Sequence, residues 1–183
     1  LLCYGATYFV LRLAVGGTLE RDEAEIVYLV QDLRPGYGPQ PPLYAWLQWL
    51  AFQAFGLNWF GLLVLKDALL MGSYFAMARA AHPLVGSQAA LAAAAALALS
   101  PQIGWEGPRI QTHSVLVVTL SCATLWSYTA LIGKASLPRY AILGLLCGLG
   151  LQAKYNYGFL LAGLAVASLL VPEHRRVLWT RGM

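Results

Sequence analysis

The sequence has few charged residues and few cysteines, and both shortages limit the kind of protein it can encode. Only 11% of its 183 residues are charged, whereas soluble domains carry roughly 25%. Hydrophobic residues make up 59% of the chain, more than a soluble fold is expected to bury, so lipid is the expected solvent. Cys3, Cys122 and Cys147 all lie in apolar runs, which argues against a disulfide framework and a cysteine-based metal site.

Signatures of metal and nucleotide binding are also missing. His82, His113 and His174 are scattered along the chain, and no Gly-rich loop follows a predicted strand. We therefore expect no cofactor and no dedicated metal site, although Asp22 and Glu23 would suit a divalent cation if further ligands joined them. The net charge of +4 gives little support for a nucleic-acid partner, because several basic residues flank apolar runs, where membrane topology explains them.

Six apolar stretches predict an all-α fold, a polytopic transmembrane helical bundle. A spanning helix needs about 20 residues, and the second and fourth stretches reach that length. Because Lys154 lies between the last two, we predict two short helices that meet at a polar turn. The predicted spans are residues 1–16, 59–81, 85–103, 114–133, 139–151 and 155–171.

The segment between the first two spans predicts two helices at the membrane interface. Apolar residues recur at Ile26, Leu29 and Leu33, the spacing of one helical face, which predicts a helix over 22–34. The second helix, predicted over 43–55, carries Trp, Tyr and Gln residues, which favour the boundary between lipid and water. The alternative for 43–55 is a re-entrant or spanning helix.

Basic residues predict the orientation of the chain. The basic segments are loop 80–86 with Arg79 at its edge, loop 134–139, and the tail 172–183, which includes Arg181; they alternate correctly if all three are cytoplasmic. The acidic segment and the Lys154 turn then share the periplasmic side of the expected bacterial inner membrane. Because the chain begins inside an apolar run without an initiator methionine, we expect it to be the N-terminal part of a longer protein.

Three motifs follow one another along the chain: the pair Asp22-Glu23, the segment 38–43 (GPQPPL) and the segment 148–155 (GLGLQAKY). Together they resemble the dolichyl-phosphate-mannose protein mannosyltransferase superfamily, and more closely its bacterial branch, which includes the lipid A aminoarabinose transferases. The resemblance implies the GT-C fold. It also implies transfer of a sugar from a polyprenyl phosphate to a lipid, glycan or protein acceptor at the outer face, usually with inversion.

Such a transfer needs a base for the acceptor hydroxyl and polar groups for the departing phosphate. A carboxylate at the membrane surface suits the first role, so Asp22 is the predicted general base, with Glu23 second. Cations and hydrogen-bond donors suit the second role. The predicted ligands of the phosphate and sugar are Gln40, Arg109, His113 and Lys154.

The acidic residues and the charged pair in the second span have structural alternatives. Asp22 with Glu25 three residues later has the spacing of a capping box. Glu23 would serve equally as a solvated acid in the first turn of a helix. Within the second span, Lys66 and Asp67 predict a structural pair with each other, and the alternative is a pair with the catalytic loop.

The proposed ligands have alternatives too, and two of them depart from the pattern of the superfamily. Lys154 could extend to the interface as a snorkelling side chain, and Arg109 and His113 could lie in a solvated loop. Gln40 stands where the aminoarabinose branch has a lysine, so that specific substrate is not supported. The run 111–114 (QTHS) stands near where many members have an acid.

Two other classes of function are compatible with the sequence. Intramembrane charge, a broken helix and Gly-rich spans also occur in transporters, and a non-catalytic lipid-binding membrane subunit is the third possibility. The polar groups cluster on one predicted side of the membrane, and no inverted repeat is discernible. These features favour the glycosyltransferase, with a polyprenyl-phosphate-linked sugar and the bilayer as its expected partners.

Overall fold

A computed structural model describes residues 2–178, and over that range it contains nine α-helices, one π-helical turn at Pro101–Trp105 and no β-strand. The all-α prediction is confirmed. Leu1, at the start of the first predicted span, and Arg181, in the basic tail, lie outside the described residues. The helices are α1 (Leu2–Val15), α2 (Arg21–Leu29), α3 (Leu43–Phe55), α4 (Trp59–Leu99), α5 (Glu106–Arg109), α6 (His113–Gly133), α7 (Leu137–Ala153), α8 (Tyr157–Leu170) and α9 (Pro172–Leu178).

Helices α4 and α6 are each long and apolar enough to cross a membrane. Helix α4 is interrupted at Gly86, where φ is 78° and ψ is 174°. A positive φ costs glycine little because it has no Cβ, so the chain can change direction between residues 59–85 and 87–99. The interruption falls in the loop predicted over 80–86, although the backbone stays helical almost to its end.

Helix α2 ends five residues earlier than the predicted bound of residue 34. Its last turn closes at Val30, whose N–H donates to the Ile26 carbonyl at 3.0 Å. Beyond it, the Tyr37 hydroxyl donates to the Asp32 carbonyl at 2.7 Å and accepts from the Arg34 N–H at 2.8 Å. Since this hydroxyl satisfies backbone groups, and a residue before proline disfavours helical geometry, the chain turns instead of continuing the helix.

Helix α3 has the predicted bounds, and one of its faces is buried against the bundle. Tyr44 and Gln48 are both fully buried, and the Gln48 side chain donates to the Gly61 carbonyl at the start of α4 at 2.8 Å. A buried amide needs such a partner, so this bond fixes α3 on α4. The position of α3 relative to the membrane stays a prediction.

One hydrophobic cluster holds α2 and α3 on the longer helices. It includes Ile26 of α2, Tyr44 of α3, Leu62 of α4, Leu116 of α6 and Tyr157 of α8, all almost fully buried. Helix α4 also packs extensively on α6 and packs on α1, while α6 packs on α7. Helices α2 and α3 therefore rest on an apolar base formed by the longer helices, and this packing positions the side chains of α2 relative to those of α6.

The turn between α7 and α8 takes the form that the sequence predicts, two helices that meet at a polar break. Lys154 is extended, with φ −164° and ψ 141°. The Tyr157 hydroxyl shares a hydrogen bond of 2.5 Å with Thr124 of α6. A Cβ at Gly150 would lie 2.1 Å from the Tyr157 ring, so only glycine permits this close approach. The break is thereby held against α6, with Lys154 at its first position.

Candidate active site

A polar cavity of about 280 Å³ lies between the start of α2, the Pro-rich loop after it, the start of α6 and the α7–α8 turn. Four of the six predicted site residues line it, one or more from each of these elements. Glu23 and Arg109 do not. The lining residues are Arg21, Asp22, Glu25, Ile26, Leu29, Pro39, Gln40, Thr112, His113, Ser114 and Lys154.

Asp22 lies in the first turn of α2 and is half-buried. It forms no ion pair or side-chain hydrogen bond with another residue of the described range 2–178. Asp22 is not the N-cap of α2, so the capping interpretation of Asp22 is wrong. The N-cap is Glu20, and the backbone N–H of Glu20 donates to the Glu23 carboxylate at 3.0 Å. Asp22 is therefore left with a carboxylate available to the cavity.

Glu23 is 0% exposed and points away from the cavity into a buried ionic cluster. One carboxylate oxygen accepts from the Arg12 guanidinium of α1 at 2.6 Å, and the other accepts from the Lys66 ammonium of α4 at 2.7 Å. The interpretation of Glu23 as a solvated acid is wrong, and the second-base assignment gains no support from its position. A buried carboxylate between two cations holds α2 on α1 and α4.

Lys66 pairs with Glu23 and not with Asp67, so the favoured pairing within the second span is wrong and its alternative is observed. Its ammonium also donates to the Arg109 carbonyl at 3.3 Å. Neighbouring helix positions point in different directions and rarely interact. Lys66 and Glu23 are 43 residues apart in the sequence, so the contact depends on how the helices pack.

Arg109 lies outside the cavity, in α5, and its carbonyl accepts from Lys66 of the buried ionic cluster. Its guanidinium donates to the Glu20 carboxylate at 3.0 Å and lies 5.6 Å from the centre of the Trp105 ring. The hydrogen bond to Glu20 raises the pKa of Arg109, so the guanidinium stays charged. Its position makes Arg109 a link between α5 and the start of α2.

Lys154 brings a cation from the α7–α8 turn into the cavity. Its ammonium donates to the Ser114 hydroxyl at 2.8 Å, which leaves two of the three ammonium donors for a ligand. Ser114 belongs to the run 111–114, which departs from the superfamily pattern, and the sequence did not predict it as a site residue. Its contact with Lys154 positions the cation at the start of α6.

His113 presents a ring nitrogen that has no partner among the described residues. Its Nδ1 is buried and without a hydrogen bond, and the ring packs on Tyr44 with centroids 5.3 Å apart. Burial raises the pKa of Tyr44, and the charges of Glu23 and Asp22 raise it further. The Tyr44 phenol therefore stays protonated, and it donates to the Gln48 side chain at 3.4 Å. Buried polar atoms are normally paired, which makes the free nitrogen of His113 a candidate ligand contact.

The cavity also contains residues that the sequence did not single out as ligands, chiefly Arg21 and Thr112. Arg21 is adjacent to the acidic pair, and that adjacency is the one signal that would have suggested it. Within residues 2–178, no group of three His, Cys, Asp or Glu side chains is placed to hold a metal ion. The polar groups that line the cavity are two carboxylates, two cations, an amide, an imidazole and two hydroxyls.

Lys66→Met is expected to lower the free energy of unfolding by about 3 kcal/mol, because the buried Glu23 carboxylate would keep Arg12 as its one cationic partner among residues 2–178. Unfolding by SDS in detergent micelles measures this. Asp67→Asn is the matched control, since Asp67 forms no ion pair among the described residues. The double variant Glu23→Gln/Lys66→Met should recover part of the loss. A single variant as stable as wild type would contradict the role of the cluster.

Comparison of the sequence with known proteins finds a matching family and curated relatives. Residues 39–183 match the family described as dolichyl-phosphate-mannose-protein mannosyltransferase. Among curated proteins of Rhizobium johnstonii (strain DSM 114642 / LMG 32736 / 3841), the chain is 40% identical to lipopolysaccharide core galacturonosyltransferase RgtB over 170 residues, 90% of this chain and 34% of that protein. It is 34% identical to lipopolysaccharide core galacturonosyltransferase RgtA over 178 residues, 96% of this chain and 36% of that protein.

A third relative from that organism, lipid A galacturonosyltransferase RgtD, is 27% identical over 157 residues, 84% of this chain and 33% of that protein. The chain thus spans about a third of the length of the curated relatives it matches. No solved structure matches it.

Proposed function

Since the chain belongs to the dolichyl-phosphate-mannose-protein mannosyltransferase family, we propose that the complete protein is an integral-membrane glycosyltransferase with a polyprenyl-phosphate-linked sugar as donor. The all-α architecture and the family match agree with the GT-C-like fold class expected from the sequence. The observation that carries the proposal is the cavity in which a carboxylate, Asp22, and a cation, Lys154, come from different elements.

In the proposed reaction, Asp22 accepts the proton of an acceptor hydroxyl as that oxygen bonds to the anomeric carbon of the sugar. The bond between the anomeric carbon and the phosphate oxygen breaks, and the phosphate leaves with the electron pair. A single displacement of this kind inverts the anomeric centre. The free carboxylate of Asp22, which makes no ion pair among residues 2–178, supports its role as the base.

The departing phosphate is proposed to bind Lys154 and Gln40. Lys154 supplies positive charge from a turn between two apolar helices, and a turn in that setting suits a phosphate whose polyprenyl tail stays in lipid. Gln40 adds hydrogen bonds but no charge, so the larger electrostatic contribution falls to Lys154. The unpaired ring nitrogen of His113 suits a hydroxyl of the sugar.

The names of the relatives extend the proposal to the sugar and the acceptor. All three are named as galacturonosyltransferases of the lipopolysaccharide core or of lipid A. We therefore propose galacturonic acid as the transferred sugar and a lipopolysaccharide-type glycolipid as the acceptor. The basic loops on the predicted cytoplasmic side support an active site on the periplasmic side of a bacterial inner membrane.

A transfer assay on the complete protein tests the proposal. Purified protein in detergent receives radiolabelled polyprenyl-phosphate galacturonate and a lipopolysaccharide core acceptor. The expected result is labelled acceptor together with free polyprenyl phosphate in equal amounts. A donor recovered with its phosphate bond intact would overturn the proposal, and movement of that intact donor across the bilayer, after the same protein is reconstituted into vesicles, would favour the transporter.

A further inference from the structure

Arg21 is a second cation in the cavity, and the proposed chemistry leaves it without a role. It is the first residue of α2 and lines the cavity together with Asp22 and Lys154. Its side chain is exposed, and it forms no ion pair or side-chain hydrogen bond within residues 2–178. Three other arginines, in contrast, each form an ion pair: Arg12 with Glu23, Arg34 with Asp32 and Arg109 with Glu20.

The charge of the donor decides whether a second cation has a ligand. A neutral hexose on polyprenyl phosphate carries its negative charge on the phosphate alone, and in the proposed site Lys154 binds that phosphate. A hexuronic acid carries a second negative charge on its C6 carboxylate. The guanidinium of arginine is planar and binds a carboxylate through two parallel hydrogen bonds, whereas the ammonium of lysine acts as a point charge.

We infer that Arg21 binds the C6 carboxylate of a uronic acid and so selects uronate donors over neutral sugars; this inference rests on the proposed function. The placement of the two cations fits the shape of the donor. Lys154 lies in a turn between two apolar helices, next to the expected position of the lipid tail. Arg21 comes from a different element of the cavity lining, the start of the amphipathic helix α2, and there we expect the sugar, beyond the phosphate.

The acids of the cavity sharpen this selection. Asp22 and Glu25 also line it, and their negative charge opposes an anionic sugar that has no cation to bind. A uronate therefore gains from Arg21 both a pair of hydrogen bonds and relief from this repulsion. A neutral sugar gains neither, so the effect of Arg21 should depend on the donor.

The test compares two donors that differ only at C6, polyprenyl-phosphate galacturonate and polyprenyl-phosphate galactose. Arg21→Gln in the complete protein is expected to weaken binding of the uronate donor about tenfold or more, the scale of a lost charge-assisted contact. Binding of the galactose donor should change by less than about threefold. Arg21→Lys, which keeps the charge but not the fork, should lie between wild type and Arg21→Gln for the uronate donor.

Lys154→Ala is the matched control, because it should weaken both donors by a similar factor. Measuring donor affinity by competition, beside turnover, keeps the result independent of whether galactose is transferred. An equal loss for both donors in Arg21→Gln, or no loss for either, would overturn the inference while leaving the proposed function in place. If wild type transferred sugar from neither donor, the proposed function itself would fail, and this inference with it.

Discussion

Asp22→Asn in the complete protein is expected to reduce sugar transfer about 100-fold or more, the usual contribution of a general base, with expression and thermal stability close to wild type. Asparagine keeps the shape of the side chain but cannot accept the proton of the acceptor hydroxyl. The structure separates this effect from folding, because Asp22 does not cap α2 and forms no ion pair within residues 2–178. Steady-state transfer rates and unfolding curves measure the two effects.

Two neighbouring acids provide the controls for Asp22→Asn. Asp32 lies outside the cavity in an exposed pair with Arg34, so Asp32→Asn should leave transfer unchanged. Glu23→Gln should lower stability, because it removes the charge that Arg12 and Lys66 share. Wild-type turnover by a folded Asp22→Asn protein would rule out Asp22 as the base.

The local features of the fold were predictable from the sequence because short-range patterns determine them. Helix α3 begins at Leu43, directly after two prolines, and ends before Gly56 at the predicted bound. The break before Lys154 was predictable because a charged residue between two short apolar runs favours an interruption of the helix. The end of α2 was missed because it depends on the Tyr37 hydroxyl, whose partners only the folded loop brings close.

The candidate site was predictable only where the motifs include residues of the cavity. Asp22, Gln40 and Lys154 lie in the motifs, and the structure brings them to one cavity together with His113. The different positions of Asp22 and Glu23 were not predictable, since the burial of Glu23 depends on Arg12 and Lys66 in two other helices. Adjacent acids in a sequence point to different sides of a helix, and packing decides which side faces the cavity.

Lys154→Ala is expected to weaken binding of any polyprenyl-phosphate donor by about tenfold or more, since a charge-assisted contact to phosphate contributes on the order of 1.5–3 kcal/mol. The protein should still insert and fold, because the Tyr157–Thr124 contact holds the turn independently of the lysine side chain. Donor affinity measured by competition in detergent tests this expectation.

Further substitutions separate the contribution of the Lys154 charge to donor binding from that of its contact with Ser114. Lys154→Arg keeps the charge and should recover most of the affinity, whereas Ser114→Ala should give a smaller loss, because it frees the ammonium without removing it. Lys134→Ala is the matched control. Lys134 is exposed and directly follows α6, at the opposite end of that helix from the cavity. If Lys154→Ala bound donor as tightly as wild type, the phosphate would have to bind elsewhere. Lys154 would then serve only to break the helix and hold Ser114, and the cavity would lose its proposed leaving-group site.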